Sequence, residues 1–83
     1  MCIDDLSPTQ RNAVLALQSA VVAKWNEAAQ TYFCRAIIAT WTSRACREAE
    51  FADAADVFAK KAAFFTAEGL LCVAKAAQAR SLI

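Results

Sequence analysis

From residue 8 onward the apolar positions recur at helical rather than strand spacing. Val14, Leu17, Val21 and Trp25 follow one another at three- and four-residue steps, the period of one helix face. Ser7-Pro8-Thr9-Gln10 stands just before them. Ser7 can cap, Pro8 suits the first helical position and Gln10 holds the place a capping box needs. Further on, Phe33, Cys34, Ile37, Ile38, Trp41 and Ala45 form a broad apolar stripe, with Ala28, Ala29, Tyr32, Ala36, Ala39 and Cys46 opposite it. A helix apolar on two sides is read as the central element of a bundle, its alanine side open to close approach by a neighbour. Beyond it, Ala54, Val57, Phe58, Phe64 and Phe65 share a face, and Leu70, Val73 and Ala77 share another.

No Gly or Pro lies between Pro8 and Gly69. Unbroken, that stretch would be a rod of about 90 Å, which a lone globule of this size cannot use. Breaks are therefore placed at Lys24-Trp25-Asn26, at Glu50 to Asp53 with Asp53 as N-cap, and at Glu68-Gly69, on the turn and cap preferences of Asn, Asp and Gly. The fold class expected is all-α: one domain, a small antiparallel bundle of three to four helices near 8–24, 27–48, 53–67 and 69–81, after an N-terminal arm over 1–6. If the first break fails, the first two helices fuse into a rod of about 40 residues, and the chain becomes a long hairpin that needs a second copy to close its core.

Composition sharpens this reading. The chain has 83 residues, 59% of them hydrophobic, with one Gly, one Pro and no His. Alanine supplies much of the excess; it favours helix but buries little area. The adjacent pairs Tyr32-Phe33 and Phe64-Phe65 point about 100° apart on a helix, so a narrow groove takes one member of each. The other must meet a further helix, a second copy or a partner. Trp41, Phe51, Ala54 and Phe58 are spaced somewhat like the helical hairpin of a tetratricopeptide repeat. Thr42 and Lys61 replace the small residue and the alanine of that pattern, and no second copy appears, so no function is carried over.

Net charge is +1, from 9 basic and 8 acidic residues, which is no nucleic-acid footprint. The acidic start, Met1 to Asp5, is unlike a signal peptide. Gln18, Lys24 and Arg35 interrupt the apolar runs, so no membrane span is expected. A cytoplasmic chain with reduced thiols at Cys2, Cys34, Cys46 and Cys72 follows.

Catalytic patterns are missing. Without His there is no Ser-His or Cys-His pair, and scattered cysteines do not match structural zinc spacings. No Gly-rich loop can cradle phosphate. Glu48 with Glu50, and Asp53 with Asp56, read as capping and solvating charges. No enzyme, cofactor or metal is expected. The leading expectation is a protein–protein interaction module, acting on a larger complex or as a homodimer; a phage-type inhibitor of a bacterial defence system is an example without a motif behind it. The candidate partner-binding residues are Trp25, Tyr32, Trp41, Arg44, Arg47, Lys60, Lys61 and Phe64. The aromatics among them are types enriched at interface hot spots. The alternatives are a nucleic-acid-binding patch of Arg44, Arg47, Lys60 and Lys61, and a carrier of a small apolar ligand held between helices.

Overall fold

The Ser7 cap forms as its sequence implies. In the computed structural model, which describes residues 5–81, the Gln10 amide donates to Ser7 Oγ at 3.2 Å and the Ser7 amide donates to Gln10 Oε1 at 3.1 Å. With Pro8 in the first turn, this opens α1, Pro8–Glu48, a single helix of 41 residues. A second helix, α2, Ala52–Ser81, runs for 30 residues. The two pack against each other as an antiparallel hairpin.

This corrects the expected bundle of three to four helices: the described residues form two long ones, the hairpin expected if the first break fails. The break at Lys24-Trp25-Asn26 does not occur. Asn26 sits exposed on the outer surface while Trp25 turns inward; packing of that inner face carries the helix through a weak local stop signal. The break at Gly69 does not occur either. Gly69 is buried inside α2 and has no positive φ. Part of the expected N-terminal arm, with Cys2, lies outside the described residues.

The one turn that forms has clear chemistry. The Phe51 amide donates to the Cys46 carbonyl at 2.8 Å and the Glu50 amide to the Arg47 carbonyl at 3.1 Å. Those two bonds make a Schellman C-cap, which satisfies carbonyls that helix termination orphans. It needs a left-handed residue, and Glu50 supplies it at φ 66°, at a cost of about 1–2 kcal/mol for a residue with a Cβ. The Ala55 amide then donates to the Phe51 carbonyl at 3.0 Å, so α2 starts from Phe51. Asp53 is in the first turn rather than at the N-cap, where its charge complements the helix dipole.

Burial follows a seven-residue repeat on both helices. On α1 the inward positions are Val22, Ala29, Ala36 and Ser43, with Gln18, Trp25, Tyr32, Ala39 and Cys46; on α2 they are Ala55, Ala62, Gly69 and Ala76, with Phe58, Phe65, Cys72 and Ala79. All are buried or half-buried. A strict heptad is the signature of a coiled-coil seam. Small residues recur at every seventh position on both sides, letting the two backbones approach closely. Ser43 Oγ donates to the Ala55 carbonyl at 2.7 Å, Tyr32 stacks on Phe65 with ring centroids 6.3 Å apart, and Gln18 Nε2 donates to the carbonyls of Ala79 and Arg80 at 3.1 and 2.7 Å. These contacts set one register, which puts Ala36 across from Ala62 and Ala29 across from Gly69.

The resulting body is long and thin, 64 × 15 × 9 Å between Cα extremes, with a radius of gyration of 19.2 Å. A compact chain of this length would have about 12 Å.

Candidate interaction surface

The neighbour of α1 takes its alanine side, not its bulky stripe. Ala29, Ala36 and Ala39 are buried, whereas Ile37 is 50%, Ile38 61% and Trp41 66% exposed. The physical reason is the seam itself. Alanine, serine and glycine let the helix axes come near, and residues one position off the heptad then point outward. The same happens on α2. Cys72, Ala76 and Ala79 are buried while Leu70, Leu71, Val73 and Phe64 are exposed, so the face expected from Leu70, Val73 and Ala77 is an outer one. Among the described residues no large side chain is fully enclosed.

The aromatic pairs sort unequally. Phe65 packs inward on Tyr32, and Phe64 stays outside with its ring 5.7 Å from that of Phe65. Tyr32 and Phe33 are both half-buried: Tyr32 reaches α2 on one flank of the seam and Phe33 covers Gly69 on the other. A seam this narrow lets adjacent residues straddle it.

The expected partner residues therefore fall into separate places. Trp25 and Tyr32 belong to the seam, and Lys75 Nζ lies 5.3 Å from the Trp25 ring centre. Trp41 and Phe64 are on the surface but on different sides of the hairpin. Arg44 lies beside Trp41. Arg47 meets Asp56 at 3.7 Å in an exposed ion pair, of a kind that adds little stability. Lys61 Nζ sits 5.4 Å from the Phe58 ring centre, and the adjacent Lys60 points about 100° away from it. The four cations do not converge on one surface.

The two broad sides of the hairpin differ in kind. On one, exposed Leu17, Ile38, Val57 and Phe64 are interrupted by Lys24, Arg35, Lys61, Glu68 and Lys75. The other holds Ala23, Asn26, Gln30, Phe33, Ile37 and Thr40 from α1, with Ala59, Ala63, Thr66, Leu70, Val73 and Ala77 from α2. It carries no charged side chain between Ser19 and Thr40, a distance of about 30 Å along the helix. Arg44, Arg47 and Asp56 stand at its turn end and Arg80 at its open end. Its two threonine hydroxyls bond back to their own helices: Thr40 Oγ1 donates to the Ala36 carbonyl at 2.9 Å and Thr66 Oγ1 to the Ala62 carbonyl at 2.8 Å.

Two open recesses lie on this uncharged side. One, of about 330 Å³, is bounded by Phe33, Ile37, Thr40, Trp41, Arg44 and Thr66. The other, of about 280 Å³, lies between Gln18, Val22, Asn26 and Arg80. By the register, Leu70 and Val73 stand between them as a ridge. Sequence reasoning passed over Phe33, Ile37, Thr66 and Leu70 as surface residues, having assigned three of them to core stripes. The signal that finds them is the heptad of small residues, which says where the neighbour goes and hence what it leaves out.

Among the described residues no three groups of the metal-ligating types come together, and no helix is long and apolar enough to cross a membrane. Of the described cysteines, Cys34 is exposed, Cys46 half-buried and Cys72 buried, all as free thiols. No protein-family model, curated protein or solved structure matches this chain.

Proposed function

We propose that this chain is a non-enzymatic protein-interaction module, a small adaptor or inhibitor that works by giving its outer apolar surface to another protein chain. The observation that carries this reading is the inversion of the core. The seam buries alanine, glycine, serine and cysteine, while Ile37, Trp41, Leu70 and Phe64 lie in solvent. Phe33, Ile37 and Trp41 adjoin one another around one recess; contiguous apolar surface on a small chain marks a contact site, and an exposed tryptophan beside an arginine is the composition of a hot spot. Nucleic-acid binding draws no support from the geometry, because Arg47 and Lys61 already face Asp56 and Phe58. A carrier role draws none either: the recesses are open to solvent, and the space between the helices is filled by the close-packed small residues of the seam and the Tyr32–Phe65 stack.

The test compares the wild-type chain with an Ile37→Glu, Trp41→Glu double variant, in mass and in retention of protein when immobilised. Wild type forms a stoichiometric complex, with itself or with another protein, and the double variant loses it. A wild-type chain that stays at 9.0 kDa and retains no stoichiometric partner overturns the reading.

A further inference from the structure

We infer that the uncharged side of the hairpin is covered by a second copy of this chain, closing two hairpins into an isologous four-helix assembly. The inference rests on the interaction-module reading and names the partner and the face.

Surface area is the first argument. The chain exposes 6209 Å², where a folded monomer of its 9.0 kDa exposes about 4,900 Å². The excess of about 1,300 Å² exceeds the roughly 800 Å² that each partner contributes to a standard interface. Two copies merged into one compact body would expose about 8,000 Å². That would remove at most about 4,400 Å² from the separate chains, within the range of obligate homodimers, about 2,000–5,000 Å².

The second argument is about when the cover is needed. A seam whose fully buried positions are alanine, glycine, serine and cysteine, with Trp25, Tyr32, Phe58 and Phe65 only half-buried, removes little apolar area from water, and ordering residues 5–81 has a large entropic cost. The missing burial is required whenever the chain is folded, not only when a transient target is met. A second copy is the one partner present wherever the chain is made.

The third is the face itself. Interface cores are depleted of charge, and this side has none from Ser19 to Thr40. A two-fold arrangement makes the same patch serve both partners. The ridge of Leu70 and Val73 on one copy then fills a recess on the other, and the small residues Ala23, Ala59 and Ala63 let the helices come close.

Sedimentation equilibrium and thermal unfolding over a hundredfold range of concentration test this. Wild type sediments at twice 9.0 kDa, and its Tm rises with concentration, as mass action requires. Leu70→Lys raises the dissociation constant at least a hundredfold, and Phe64→Lys, on the charge-interrupted side, changes it less than threefold. Should Leu70→Lys fail to fold, Ile37→Ala and Leu70→Ala each raise the dissociation constant about tenfold while helical circular dichroism at high concentration is retained. A monomeric wild type with a concentration-independent Tm overturns the inference. So does a dimer split by Phe64→Lys but not by the Ile37 and Leu70 variants. A monomer that still captures another protein through Trp41 removes the second copy and leaves the interaction module standing; a monomer that captures nothing removes both.

Discussion

Gly69 shows how a single residue can read as one thing in sequence and do another in the fold. A lone glycine late in a helical pattern suggests a C-cap. Here it costs the helix about 1 kcal/mol relative to alanine and makes room instead. A Cβ at Gly69 would lie 2.5 Å from Phe33 Cε1 and 2.8 Å from Cδ1, so the Phe33 ring occupies the space a side chain would need. This predicts strong coupling. Gly69→Ala alone destabilises by about 1 kcal/mol, because displacing the ring outweighs the propensity gain. In a Phe33→Ala background the same change stabilises by about 1 kcal/mol. Denaturant unfolding of the four chains of the cycle measures this, and additive effects would show that the ring is not what Gly69 accommodates.

At the scale of elements, the helix start at Ser7 was legible because its two hydrogen bonds are local. The turn near Glu50 was legible only roughly: Glu50 is no glycine, and its left-handed φ is imposed by the Schellman bonds around it. The missing breaks were another matter: the sequence left the first open and placed the second at Gly69 wrongly. Weak stop signals at Asn26 and Gly69 compete with packing against a partner some 40 residues away in sequence, and propensity gives way to packing. The end of α2 depends on the same long-range partner. Gln18, half-buried on α1, donates to the Ala79 and Arg80 carbonyls in the last turn of α2, where helix carbonyls run short of donors from their own helix. Gln18→Ala is expected to cost about 1 kcal/mol locally. Hydrogen exchange in the last turn of α2 then speeds up about fivefold, while amides near Ala36 keep their protection. Uniform loosening of both helices would mean that Gln18 supports the whole hairpin rather than its end.

For the whole molecule the decisive quantity is shape. A bundle with breaks at residues 24–27 and 69 would have a radius of gyration of about 12 Å, against 19.2 Å for the hairpin. Small-angle scattering separates them directly. A longest dimension of at least the 64 Å Cα span is expected whether hairpins are single or paired side by side, and a value near 40 Å would refute the long helices. By itself the amino-acid sequence determined that the chain is helical, where its first helix starts and that it has more apolar residues than one narrow core can hold, since these depend on local propensity and composition. Only the tertiary structure decided which stripe goes inward. Two apolar faces compete for one neighbour, and the close-packing heptad of small residues wins, leaving Ile37, Trp41 and Leu70 to whatever chain covers them.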